Sequence, residues 1–91
     1  MEKIQPLRKK IDELDNKILH SLKERVEVCR AVGVIKQESG IAVRDPAREN
    51  EVCKRINEKA TRLGLDGYQA ERVYREIIAM CRSVQESDAK T

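Results

Sequence analysis

Phenylalanine and tryptophan are absent from these 91 residues, and tyrosine occurs only twice. The core must therefore be aliphatic and modest, and a domain of this size commonly completes it by oligomerising. The shortage of aromatic rings also removes the stacking platforms used on single-stranded nucleic acid. One histidine and three scattered cysteines (Cys29, Cys53, Cys81), with no CxxC pair, supply no zinc set. Thiols in that arrangement read as reduced and buried, in a cytosolic protein. No apolar run approaches the ~20 residues of a membrane span. The start, MEKIQPLRKK, has no apolar core for a signal peptide. Charged residues make up 38% of the chain with a net charge of only +3, which describes solvated helix faces rather than a nucleic-acid footprint. The expectation is a single cytoplasmic domain over residues 1–91, with neither nucleic acid nor membrane as partner.

What is present is helical periodicity. Ile4, Leu7, Ile11, Leu14 and Ile18 alternate three and four apart, a heptad seam. The same spacing passes through Ser21 and Arg25 before returning to Val28, Val32 and Ile35. An arginine in such a seam is costly unless an anion meets it. It can be a structural ion pair or a register device, or it can belong to an anion pocket inside a helical bundle.

Pro6 fits only a first turn and Gly40 suits the position after a helix end, which predicts a helix over about 5–38, some 50 Å long. Asp45-Pro46 reads as N-cap and first residue of a second helix, about 46–63, with a stripe at Val52, Cys53, Ile56, Ala60 and Leu63 ended by Gly64. Asp66, with Gln69 three residues on, caps a third helix over about 67–86. Its stripe is Ala70, Val73, Ile77, Cys81 and Val84, and the polar tail beyond Glu86 is expected to fray. No segment alternates like a strand, so the fold is all-α. Neither shorter helix, about 27 and 30 Å, can cover the first alone, so either they lie end to end along it or a second copy of that helix covers it; the heptad pattern favours the second copy, giving a symmetric helical homodimer.

Arg25, Cys29, Val32 and Lys36 share one helical face, with Arg25 and Lys36 about 16 Å apart along the axis. Two such cations could hold the ends of one small ligand. Arg8 lies about 25 Å from Arg25 and about 100° around the helix, so it can serve the same site only from another subunit. Asp45, Arg48 and Glu49 gather at the start of the second helix. The carboxylates suit the helix dipole there, whereas Arg48 does not unless an anion is near. Tyr74, Ile78, Cys81 and Gln85 lie within about 60° on the third helix, so a glutamine ends a mostly apolar face.

Together, LRKKIDELDNKIL, ERVEVCRAVGVIK and VRDPARENEV resemble the all-helical (AroQ-type) chorismate mutase family, in the order R-x2-I-D-x-L-D, E-R, K, D-x2-R-E and a terminal Gln. The likeness runs from about Leu7 to Gln85. It implies an intertwined homodimer in which long first helices pack together and each site takes one residue from the other subunit. It further implies that Arg8 of the partner subunit and Arg25 grip the two carboxylates of chorismate, assisted by Arg48. Lys36 and Gln85 would donate to the ether oxygen of the breaking C–O bond, and Glu49 with the backbone near Asp45 would receive the ring hydroxyl. Cys81 stands where the family often has a small hydroxyl residue, a departure affecting one secondary contact.

The implied reaction, chorismate to prephenate in phenylalanine and tyrosine biosynthesis, is a unimolecular rearrangement. It requires no nucleophile, proton-transfer base, metal or cofactor, so the lack of Ser-His-Asp or Cys-His sets is no objection. Some relatives of this fold are isochorismate pyruvate-lyases, and the heptad seam alone would suffice for a non-catalytic dimerisation module. Glu49 as hydroxyl acceptor favours the mutase over the first, and the ordered polar positions favour it over the second. The chain is expected to end without room for a dehydratase, dehydrogenase or effector domain.

Overall fold

The computed structural model describes residues 2–89, which form three helices and no strand. They are α1 (Gln5–Glu38), α2 (Pro46–Arg62) and α3 (Gly67–Ala89). The molecule is elongated, 56 × 28 × 13 Å, because α1 runs its whole length.

Local chemistry explains the boundaries. α1 starts with Pro6 in its first turn, where a missing N–H costs nothing. It ends in a Schellman turn, with the Ile41 N–H donating to the Lys36 carbonyl (2.8 Å), the Gly40 N–H to Gln37 (3.3 Å), and Gly40 at φ +68°. α2 ends the same way, with Leu65 N–H to the Ala60 carbonyl (2.9 Å) and Gly64 at φ +83°. Asp45 caps α2 by accepting from the Arg48 N–H (3.1 Å), and Asp66 caps α3 by accepting from Gln69 N–H (3.0 Å).

α3 is the central element, packing against both α1 and α2, which do not pack against each other. The small core holds Val52 and Cys53 of α2 with Ile78 of α3, flanked by Ile56. Three expectations are corrected. Leu63 caps α2 rather than extending it and is exposed. On α3 the buried side chains are Ile78, Cys81 and Gln85, while Val73 of the expected stripe faces outward. That helix carries apolar residues around much of its circumference, so contact with two flanking helices decides which go inside. Nor does α3 end at Glu86. It continues to Ala89, with Arg30 of α1 donating to both carboxylate oxygens of Asp88 at 3.0 Å. A bidentate pair across two helices holds a turn that composition alone would leave to fray. Residues 90 and 91 of that tail lie outside the described residues.

α1 contains no buried residue. Ile4, Leu7, Ile11, Leu14 and Ile18 all remain exposed on the single chain, as do Val28, Val32 and Ile35.

Candidate active site

Where α1 and α2 diverge on either side of α3, they leave a cleft of about 250 Å³. Helical spacing brings Arg25, Cys29, Val32 and Lys36 of α1 to one wall. The N-terminal turns of α2 and its cap contribute Asp45, Arg48, Glu49, Val52 and Arg55. α3 supplies the floor through Ile78, Cys81, Arg82 and Gln85, and Val43 of the α1–α2 loop closes one end. Five cationic side chains (Arg25, Lys36, Arg48, Arg55, Arg82) thus face two carboxylates, Asp45 and Glu49. The walls between them are aliphatic or thiol, so charge there is screened less than at an open surface.

The cations differ in what holds them. Arg25 Nη1 donates to the Cys81 thiol at 2.8 Å and lies 3.8 Å from Cys29 Sγ. Lys36 Nζ donates to the Val43 carbonyl at 2.9 Å. Neither acceptor is a carboxylate, so neither cation sits in an ion pair. Arg48 pairs with Glu51 one turn further along α2, and Arg82 pairs with Glu49 at 2.7 Å. Glu51 is therefore the anion that relieves the conflict between Arg48 and the helix dipole.

Burial pushes the Cys29 thiol up to about 11, and its hydrogen bond with Cys81 acts in the same direction. Arg25 and Lys36 pull it back only in part. The Cys29 thiol is accordingly protonated through the physiological range.

Among the described residues Gln85 is the one buried polar side chain, 8% exposed, and its Nε2 donates to the Cys29 carbonyl at 2.6 Å. Gly33 makes that reach possible: a Cβ there would lie 2.9 Å from Gln85 Cγ. The loop organises Lys36 in a similar way, since the turn through Gly40 returns the chain so that Val43 can accept from its ammonium.

Of the residues singled out from sequence, Arg25, Lys36, Asp45, Arg48, Glu49, Cys81 and Gln85 line this one cleft. Arg8 does not: it sits exposed in the first turns of α1. Four contributors were not singled out: Gly33, Arg55, Arg82 and the Val43 carbonyl. Gly33 carried a readable signal, because a glycine inside a helix costs up to about 1 kcal/mol and commonly has a packing reason. Arg82 and Val43 carried none, because their roles depend on partners on other elements.

The three helices thus enclose a cationic, partly apolar cleft. The chain belongs to the Chorismate mutase type II family, which it matches over residues 7–86. It is 34% identical over 85 residues to a protein from Methanocaldococcus jannaschii named chorismate mutase, covering 93% of this chain and 86% of that one. It is 35% identical over 92 residues to a bifunctional chorismate mutase/prephenate dehydratase from Aquifex aeolicus, covering 93% of this chain but 24% of that protein. A protein from Pyrobaculum aerophilum named 3-dehydroquinate dehydratase is 29% identical over 79 residues, 87% of this chain and 23% of its own length. The chain thus spans about a quarter of the length of two of these relatives.

Proposed function

We propose that the chain is a chorismate mutase domain that converts chorismate to prephenate as an intertwined homodimer, in the cytoplasm, for phenylalanine and tyrosine synthesis. The observation that carries the reading is the pair Arg25 and Lys36, two cations resting on acceptors other than carboxylates in one cleft with Gln85 beside them. Cytoplasmic placement suits its three free thiols.

The rearrangement breaks one C–O bond and forms one C–C bond within a single molecule, so the protein has no atom to donate or remove. Its contribution is to hold the substrate folded with the reacting carbons close, and to meet the charge that develops. Arg25 binds one carboxylate, bidentate by the shape of guanidinium. Arg8 of the partner subunit binds the other, with Arg48 adding charge once it leaves Glu51. Lys36 and the Gln85 amide donate to the ether oxygen as negative charge builds there, an interaction stronger in the transition state than in the ground state. Glu49 and the backbone near Asp45 receive the ring hydroxyl, and Cys81 makes the secondary contact.

A homodimer is supported by the exposed aliphatic stripe of α1. Ile4, Leu7, Ile11, Leu14 and Ile18 form a continuous apolar face about 20 Å long that the other described residues leave exposed. A second copy packed along it would bury that face and bring Arg8 of the partner subunit toward the cleft. The deciding experiment follows chorismate loss and prephenate appearance, with pyruvate release from isochorismate as the second arm. Prephenate formation supports the mutase, pyruvate release alone supports the lyase, and inertness toward both leaves only a dimerisation module.

A further inference from the structure

Arg82 follows Cys81 and precedes Gln85 by one short turn, so its stem leaves α3 toward the cleft. Its guanidinium crosses to the first turn of α2, where Nη1 meets Glu49 Oε1 at 2.7 Å. The two side chains are 28% and 22% exposed, the most shielded ion pair among those formed by the described residues. Solvent competes poorly for such a pair, so it holds its geometry better than a surface bridge. Glu49 Oε1 is thereby engaged, whereas Oε2 accepts no hydrogen bond among the described residues. A carboxylate tied through one oxygen keeps a single oriented acceptor facing the cleft. Left alone, the same carboxylate would set a full negative charge against a dianionic ligand.

We propose that Arg82 is a positioning residue that tunes Glu49 for substrate recognition. It fixes the carboxylate so that the free oxygen accepts the ring hydroxyl, and it offsets the charge that would repel the substrate's carboxylates. The proposal rests on the mutase reading and adds a residue that reading does not use. Because Arg82 acts through Glu49 and not on the breaking bond, its removal should fall on substrate affinity. A plain structural tie between α2 and α3 would instead lower the melting temperature and leave KM alone.

The test is a double-mutant cycle on the full chain with chorismate: Arg82→Ala, Glu49→Gln and the double variant, with Arg82→Lys as the conservative rescue. Arg82→Met, which keeps the apolar stem, replaces Arg82→Ala if that variant does not fold. Arg82→Ala should raise KM about tenfold with kcat within about threefold of wild type, the scale of one close charge pair. Arg82→Lys should recover most of the loss. The double variant should be no worse than the poorer single variant, because the two residues act as one unit. A substrate analogue bearing hydrogen in place of the ring hydroxyl should lose less from Arg82→Ala than chorismate does, because only the charge effect on its carboxylates remains. Penalties that multiply in the double variant, or an unchanged KM with a lowered melting temperature, overturn the proposal while the mutase reading stands. A wild-type chain that binds and converts no chorismate takes both down.

Discussion

Gly33 and Gln85 meet across the α1–α3 contact with no room between them for a methyl group. A Cβ at position 33 would lie 2.9 Å from Gln85 Cγ and 3.3 Å from its Cβ. These are root atoms of the side chain and cannot swing aside without moving the amide. Gly33→Ala gains about 0.5–1 kcal/mol in helix propensity but overpacks a contact, which typically costs about 1–3 kcal/mol. The expected result is a folded protein, destabilised by about 1 kcal/mol, with kcat lowered by up to about 10²-fold as Gln85 loses its place. Thermal melts and steady-state kinetics check both halves, and wild-type kcat would show that Gln85 does not need this seat.

Arg8 and Arg25 offer a test of the shared site. Neither Arg8→Ala nor Arg25→Ala should be active alone. Mixed and allowed to exchange subunits, they should regain activity, because one of the two sites in the heterodimer then has both arginines. The expected recovery in a statistical mixture is about a quarter of wild-type activity per chain. Failure to recover in a sample with demonstrated exchange would place Arg8 outside the site.

On the proposed roles, Lys36 and Arg25 should fail in different ways. Arg25 would hold substrate in the ground and transition states alike, so Arg25→Ala should raise KM and lower kcat. Lys36 faces charge that appears mainly as the C–O bond stretches, so Lys36→Ala should fall largely on kcat, by about 10²–10³-fold or ~3–4 kcal/mol. A Lys36→Ala variant whose loss lies wholly in KM would reassign that ammonium to ground-state binding.

The Cys29 thiol predicts an alkaline signature. Its ordinary value of 9.0 is raised to about 11 in the folded chain by burial and then by Cys81. Folding therefore favours the protonated thiol. The stability this contributes is fully present below pH 9.0 and is lost as pH rises toward about 11. Alkylation of native Cys29, followed by mass spectrometry, should accelerate up to about pH 11, with the midpoint moving down in Cys81→Ala. A native midpoint at the ordinary value would mean that the thiol is open to solvent.

Helix ends were legible in the sequence because their causes are local. Asp45-Pro46, Asp66, Gly40 and Gly64 each act within a few residues of themselves. The inward face of α3 was legible only in part: spacing grouped Ile78, Cys81 and Gln85, but it also drew a stripe through Val73. Val73 and Ile78 are equally apolar, and only the two flanking helices select the second, along with a glutamine that composition would send outward. The last turn of α3 was hidden for the same reason, since Asp88 depends on Arg30, 58 positions away. In the cleft, the cations on one face of α1 could be grouped by spacing alone. What they rest on could not: a loop carbonyl for Lys36 and a thiol from another helix for Arg25.

Those resting places have a kinetic consequence. Arg48 and Arg82 spend their charge on Glu51 and Glu49, but a carbonyl and a thiol leave Arg25 and Lys36 electrically unspent. The cleft therefore projects a positive field into solvent, which reaches about 10 Å at 0.1 M salt and shrinks as salt is added. A dianion drifting past is drawn in before any hydrogen bond forms. Capture, and kcat/KM where capture limits it, should slow with ionic strength, while turnover at saturating substrate stays level.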